Sequence, residues 1–473
     1  MTFHPYPDKF YYFFRITDAN DFPYQQPWLR DPLFLSAPTE VALNIKAVQG
    51  FKDILPDEVV LWQHVEQRAR DIFHRFGFGE IRLPIIEETE LFARSIGQTT
   101  DIVEKEMYTF VDKGLTLRPE ATASLLRAFI EHGLHVLQPV QKLYTMGPMF
   151  RHERPQKGRL RQFHQLDAEI IGATEPAVDA ELMAMGNMLL AELGLQAKLE
   201  INSLGCPACR PSFREKLVTY LRRFAGEMCP DCQRRLESNP LRSLDCKSQH
   251  CKKVVAGAPS ILDSLCPPCS DHFARVREGL EHLSVPYSVN HCMVRGLDYY
   301  TRTTFEFTTA SLGAQSAVGA GGRYDGLIAQ LGGASLPGIG FALGVERIIL
   351  LLQQQEGPRL TPAAQAEIFV AALGENGGRY SQLLVHLLRQ GGVKAAMDYS
   401  GRSLKAQMKQ AGRLGARFAL IVGDNELSRQ SAVLRDMDSQ SQEDFGLQDS
   451  PQSCADRLRT LVTTRLPASG RPA

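Results

Sequence analysis

Arg151, Arg154, Lys157, Arg159 and Arg161 fall within eleven positions of one polar segment. Arginine presents a planar fork of donors suited to gripping phosphate or carboxylate two bonds at a time. A basic loop can equally be a solvated hairpin tip, but the stretch that follows changes the balance. In Gln162–Ile171 the period-two alternation of a strand puts Phe163, Gln165, Asp167 and Glu169 on one face. His164, Leu166, Ala168 and Ile170 take the other. A row of carboxylates and an amide either faces water or floors a pocket for a cationic, donor-rich ligand. Beside an anion-binding loop, such a floor asks for a substrate carrying both charges. An amino acid together with a nucleotide phosphate satisfies that. Neither GxxxxGK[ST] nor GxGxxG occurs, so bound ATP would be held by arginines and Mg2+ rather than by a P-loop or a dinucleotide fold.

The second concentration of chemistry is sulfur. Eight of the ten cysteines lie between positions 206 and 269. The N-terminus has no apolar h-region of a secretory signal, so a reducing cytoplasm is expected, where paired cysteines read as metal ligands before disulfides. Cys206-x2-Cys209, followed after 19 residues by Cys229-x2-Cys232, has the spacing of a four-thiolate structural Zn2+ site. Cys246-x4-Cys251 with Cys266-x2-Cys269 is expected to form a second. Inert thiols are the alternative. The surrounding stretch, 203–280, reads as an insertion with 13 Lys/Arg against 8 Asp/Glu. Over the whole chain Lys plus Arg and Asp plus Glu both total 53, so a polyanion would be gripped by such local patches only. No apolar run is long enough to span a bilayer.

The elements that must position these groups follow from periodicity. At 473 residues two or three domains are expected. Trp62, Val65, Ala69, Ile72, Phe73 and Phe76 recur at helical spacing from Asp57 and stop at Gly77. Residues 81–86 read as a short strand interrupted by Pro84. Gln141–Phe150 and Gln162–Ile171 read as an antiparallel pair about the basic loop. Ten glycines in 313–344 imply tight turns and close backbone approach. Beyond a linker, Ile368–Leu373, 393–399 and 418–422 read as strands alternating with helices over 380–389 and 404–414, a small, mainly parallel α/β domain. Residues 1–42 hold 11 of the 39 aromatic side chains and six prolines. Two readings fit: an arm that packs on a neighbour, or upstream sequence from a misplaced start, favoured because Asn44-Ile45-Lys46-Ala47 resembles a fresh domain start.

Phe150-Arg151-His152-Glu153-Arg154-Pro155 resembles motif 2 of the class II aminoacyl-tRNA synthetases, and Gly338-Ile339-Gly340-Phe341-Ala342-Leu343-Gly344-Val345-Glu346-Arg347 resembles their motif 3. The 81–86 stretch about Pro84 fits motif 1. Arg295-Gly296-Leu297-Asp298-Tyr299-Tyr300, Gly321-Gly322-Arg323-Tyr324-Asp325-Gly326-Leu327 and Leu117-Arg118-Pro119-Glu120-Ala121-Thr122 are similar to signature segments of the histidyl-tRNA synthetase family. Position 121 is Ala where that family more often carries Gly. The resemblance implies an antiparallel-sheet catalytic domain over 45–355, interrupted by the cysteine-rich insertion, a linker at 356–366, an anticodon-binding domain over 367–466 and a tail at 467–473. It implies that Arg151, Arg159 and Arg347 bind ATP, with Arg151 on the α-phosphate and Arg347 at the γ-phosphate end, and that Arg295 sits at the reacting α-phosphate. Glu120 and Thr122 would hold the α-amino group of histidine, Gln165 and Glu169 would lie beside it, and Tyr299 and Tyr300 would close on the imidazole. L-histidine, ATP and tRNA(His) are the implied partners, in a cytoplasmic homodimer built on motif 1, with the basic insertion on the tRNA acceptor arm. The competing reading is a non-charging paralogue, a histidine-sensing regulatory subunit. Such paralogues lack the anticodon-binding domain and drift in the arginine motifs, both of which are intact here.

Overall fold

The computed structural model describes residues 45–96, 100, 102–296, 299–312, 317–355 and 364–465. The N-terminal extension over 1–44, most of the linker, the 467–473 tail, and Leu297 and Asp298 of one signature segment lie outside the described residues.

The helix Pro56–Arg75 has Pro at its start, Asp57 and Glu58 in the first turn and His74 and Arg75 in the last. All of these complement the helix dipole or its free N–H groups. It ends into Gly77 at φ +77°, and buries Trp62, Val65, Ala69, Ile72 and Phe73. That face packs on an eight-stranded sheet. Its order is Gly79–Glu80, Gln141–Phe150, Gln162–Ile171, Gly338–Gly344, Ala317–Arg323, Thr301–Thr308, Lys198–Ser203, Tyr287–Val289. The centre is antiparallel and the two edge strands pair parallel. Helices Pro176–Glu192, Pro267–His282 and Val345–Gln354 share the apolar core under the sheet with Leu166, Ala168 and Ile170. The alternate side chains Phe163, Gln165, Asp167 and Glu169 face a cavity on the other side.

Residues 81–86 do not form one strand. Strands end at Glu80 and resume at Ile86, because the intervening carbonyls serve Arg118. Its Nη1 donates to Leu83 O (3.1 Å) and Pro84 O (3.3 Å), and its backbone N–H donates to Ile85 O (2.9 Å). The helix expected over 380–389 spans Gly374–Gln390. Its first turn begins among glycines because a Cβ on Gly377 would lie 2.9 Å from Val422 O. The second sheet, Ala395–Met397, Ile368–Leu373, Phe418–Gly423, Ser431–Asp436 and Gln442–Gly446, is mixed. Its first three strands are parallel, and the last two add an antiparallel hairpin.

The cysteine-rich stretch folds as helices Arg210–Arg222, Pro230–Ser238, Gln249–Val255 and Pro267–His282. Phe213, Leu217, Leu221, Leu236, Val254 and Val255 join one apolar cluster with Tyr299, Tyr300 and Tyr324. The thiols are grouped otherwise than their order in the chain suggests. Cys206 and Cys209 meet Cys266 and Cys269, while Cys229 and Cys232 meet Cys246 and Cys251. The pairing by sequence neighbours is therefore corrected, because the fold returns the end of the stretch to its beginning.

Candidate active site

The cavity above the sheet has a volume of about 1090 Å³ and is lined by every histidine- and ATP-site residue expected from the sequence: Glu120, Thr122, Arg151, Arg159, Gln165, Glu169, Arg295, Tyr299, Tyr300 and Arg347. One end is acidic. Glu120 accepts the backbone N–H of Thr122 (2.8 Å) and of Ala123 (2.8 Å) at the start of the helix Thr122–Glu131. Burial raises its pKa, against the opposing pull of those N–H bonds and of Arg151. Glu169 accepts from Thr122 Oγ1 (2.7 Å) and Tyr324 OH (2.6 Å), and burial pushes it up to about 8. Asp167 is held well above the usual carboxylate range by burial and then by the neighbouring Glu169 and Glu120. Asp167 Oδ2 and Gln165 Oε1 are buried oxygens with no hydrogen-bond partner among the described residues, so they stand available to a ligand.

Tyrosines wall this end. The Tyr299 and Tyr300 rings lie 4.6 Å apart, and Tyr324 meets Tyr299 edge-on at 5.9 Å. Burial keeps Tyr299 and Tyr324 firmly neutral, so their hydroxyls remain donors. Two glycines make room. Gly340 is the register partner of Glu169 on the adjacent strand, and a Cβ there would lie 1.5 Å from Glu169 Oε2. A Cβ on Gly338 would lie 2.1 Å from the Tyr324 ring.

The other end is cationic. Arg151 is anchored by Nε to Pro119 O (2.8 Å) and stacks over Phe163, 5.2 Å from the ring centre. Arg159 pairs with Glu153, and Arg347 donates to the carbonyl of Ala317. Burial lowers the pKa of Arg347, and Arg159 and Arg151 lower it further. Three guanidinium groups that repel one another in a half-buried wall are a site for an anion. Of the other basic loop residues, Arg154 and Lys157 are exposed. Arg161 is tied to backbone carbonyls at Glu153 and Gln49. Arg295 pairs with Glu306 and lies over the Tyr300 ring at 5.8 Å. Burial opposes its charge, but Glu306 and the two tyrosines more than restore it.

A family model described as histidyl-tRNA synthetase matches residues 50–207 and 242–348, and one described as an anticodon binding domain matches 367–456. The chain belongs to the histidyl-tRNA synthetase family. A histidine–tRNA ligase of Desulfotalea psychrophila is 61% identical over 85% of this chain and 93% of its own length. That of Geobacter sulfurreducens is 56% identical over 88% of this chain and all of its own. The crystal structure of the apo Staphylococcus aureus histidyl-tRNA synthetase superposes with a TM-score of 0.71 at 38% identity, over 87% of this chain and all of that one. A Bacillus halodurans structure titled as an ATP phosphoribosyltransferase regulatory subunit/histidyl-tRNA synthetase shares the fold, with a TM-score of 0.57 at 18% identity, over 80% of this chain and 98% of that one. The chain is thus an aminoacyl-tRNA ligase by family, with a class II-type catalytic domain followed by an anticodon-binding domain.

In this synthetase three supporting groups were given no role of their own from the sequence, although Asp167 and Arg323 stood in the segments already quoted. Asp167 completes the acidic floor, although its strand face was legible. Glu306 meets Arg295 across the cavity. Arg323 lies fully buried, donating from Nε to Asp179 Oδ1 (3.1 Å) and from Nη1 to Ala173 O (2.9 Å). His272 Nε2 sits 2.9 Å from Asp179 Oδ2. Although burial would raise Asp179, its bonds to His272 and Arg323 hold it below the usual range. The sequence signal was slight, since Pro176–Glu192 carries three acids, Asp179, Glu181 and Glu192, of which Asp179 is the buried one. The family match skips 208–241, inside the stretch that carries two thiol groupings. Part of that stretch nevertheless walls the synthetase cavity, through Leu244, Cys246, Lys247, Lys252 and Val255.

Proposed function

We propose that this chain activates L-histidine with ATP and transfers it to tRNA(His). The observation that carries this reading is one cavity with an acidic, tyrosine-walled end and a three-arginine end, bridged by Arg295. Glu120 and Thr122 take the ammonium group of histidine, with Gln165 and Glu169 beside it, and Tyr299 and Tyr300 close on the imidazole. The unpartnered Gln165 Oε1 and Asp167 Oδ2 supply acceptors for its donors. A site that hydrogen-bonds a substrate's polar groups rejects analogues lacking them by as much as about 10⁴-fold. Arg151 and Arg159 hold the phosphates near the α-phosphorus, and Arg347 holds the γ end.

The histidine carboxylate attacks the α-phosphorus. An O–P bond forms as the bond to the bridging oxygen breaks, and the electron pair leaves on pyrophosphate. Negative charge gathers on the α-phosphoryl oxygens, where Arg295 and Arg151 are already fixed, by Glu306 and by Pro119 O respectively. The 3′-terminal ribose hydroxyl of the tRNA then attacks the histidyl carbonyl; the ester C–O bond forms as the acyl C–O bond to AMP breaks, with the electron pair leaving on the AMP phosphate and the hydroxyl proton released with it. Mg2+ fits this end. Glu200 and Glu306 are register partners on neighbouring strands and both line the cavity, and this ion is held by one or two carboxylates plus substrate phosphates. When bound it would neutralise phosphate charge.

The family resemblance supports a cytoplasmic homodimer. Among the described residues no helix is long and apolar enough to cross a membrane. The basic insertion is assigned to the acceptor arm of the tRNA, with Lys247 and Lys252 exposed at the cavity rim. Since the same segment walls the cavity, deleting it would disturb histidine activation as well, so charge substitution is the sharper probe. The first test is ATP–pyrophosphate exchange across the twenty amino acids, followed by charging of tRNA(His). Exchange with histidine alone and subsequent charging is expected. Tight histidine binding without exchange would make the chain a histidine-sensing paralogue, against which the arginine set and the anticodon-binding domain already weigh.

A further inference from the structure

Eight thiols of one segment come together as two groups of four, with all the sulfurs of each group within 4.8 Å of one another. Cys206 Sγ lies 3.7 Å from Cys209 Sγ and 3.8 Å from Cys266 Sγ, and Cys229 Sγ lies 3.8 Å from Cys246 Sγ. A disulfide needs about 2.05 Å. Four thiolates around a tetrahedral ion with bonds of about 2.3 Å stand about 3.8 Å from one another. The spacing is that of coordination.

We propose that the insertion binds two zinc ions, one at Cys206/Cys209/Cys266/Cys269 and one at Cys229/Cys232/Cys246/Cys251, the second nested within the chain span of the first. Three of the four ligand pairs have the sequence Cys-Pro-x-Cys. In these, Cys209, Cys229 and Cys266 each stand just before a helix, at Arg210–Arg222, Pro230–Ser238 and Pro267–His282. Backbone N–H groups already point at sulfur, from Cys206 to Cys209 Sγ (3.1 Å) and from Cys229 to Cys251 Sγ (3.3 Å). Gly205, at φ +63°, is the residue that lets the chain pass, since a Cβ there would lie 2.6 Å from Cys209 Sγ.

The two ions have different work. The outer one staples the start of the insertion to the helix Pro267–His282, whose His272 reaches Asp179 beneath the sheet. The inner one fixes Cys246 and the turn into Gln249–Val255, the wall of the histidine cavity. Four-thiolate sites of this kind hold small segments whose cores are too slight to fold alone.

Zinc analysis of the intact chain, purified without added metal, is expected to give two ions per chain. X-ray absorption at the zinc edge should show four sulfurs at about 2.3 Å. A zinc-free folded protein, or nitrogen and oxygen in the coordination shell, overturns the proposal. The nesting has its own test. The pair Cys206→Ser with Cys266→Ser should remove one ion, and Cys206→Ser with Cys229→Ser should remove both. Grouping by sequence neighbours requires the reverse, and that result would sink the nested arrangement. Alkylation of the wild-type protein during slow chelation answers the same question if a variant does not fold. The thiols should become reactive in fours, and peptide mapping of each set gives its membership.

Discussion

Glu169 is a carboxyl placed where its charge is costly. With burial pushing it up to about 8, it is mostly protonated at neutral pH in the ligand-free site. A ligand N–H or ammonium favours the carboxylate, so binding expels a proton. Histidine affinity is therefore expected to rise with pH up to about 8 by a component that Glu169→Gln abolishes, as read from calorimetric titrations of both proteins over pH 6–9. The stability sign is opposite. A carboxyl whose folded pKa is raised favours folding while protonated, and that contribution is lost as pH climbs from its unfolded value through about 8. Glu169→Gln should thus melt higher than wild type at pH 8.5 without ligand, while losing exchange activity. An unchanged melting profile would mean the site is wetter than its burial indicates. The role proposed for Arg295 concerns the other substrate. Removing its guanidinium with Arg295→Ala should cut the exchange rate by about 10²–10³-fold with little change in KM for histidine. A rise in that KM with the rate preserved would place Arg295 on histidine instead.

At the scale of elements, the strand Gly338–Gly344 is spaced by glycine so that carboxyl and phenol groups can lie across its backbone. Gly340→Ala puts a methyl 1.5 Å from the Glu169 carboxylate. Its expected outcome is histidine binding weakened by more than tenfold together with a lower melting temperature, measurable by fluorescence titration and thermal scan. The exposed lysines at the rim make a separate prediction. Lys247→Glu with Lys252→Glu should slow tRNA charging and flatten its salt dependence by about two counterions, leaving pyrophosphate exchange largely intact. The central elements were legible before the structure. Gln141–Phe150 and Gln162–Ile171 were bounded to the residue because alternation and a polar turn are local signals, and the same alternation put Gln165 and Glu169 on the cavity face. What local signals could not carry was pairing across distance. The break at 81–85 is imposed by Arg118, the glycine-rich start of Gly374–Gln390 by the neighbouring strand, and the Arg323–Asp179 pair joins residues 144 positions apart. Thiol spacing likewise pointed to fours, but grouped them by sequence neighbours, where the fold pairs the first set with the last.

For the whole molecule, the apolar residues fall into separate cores. One set lies about the eight-stranded sheet, and another, with Ile368, Val370, Phe418, Leu420 and Leu458, lies within the C-terminal domain. Calorimetry is expected to show two unfolding transitions. Histidine and ATP at about 100 times their Kd should stabilise the catalytic one by about 2.7 kcal/mol per independent ligand and leave the other in place. A single transition that moves as a unit would show the cores to be coupled. The nested thiols have a consequence in time as well as in space. On a chain emerging from the ribosome, the set Cys229, Cys232, Cys246 and Cys251 is complete before Cys266 and Cys269 appear. The inner knot can close first, shortening the loop that the outer one must then close. Neighbour-by-neighbour pairing would instead offer Cys206 and Cys209 their partners at once, so the order of synthesis itself favours a wrong early match at Cys229 and Cys232. The insertion's folding on the growing chain is thus a race between two ligand sets, decided by how quickly Cys246 and Cys251 arrive.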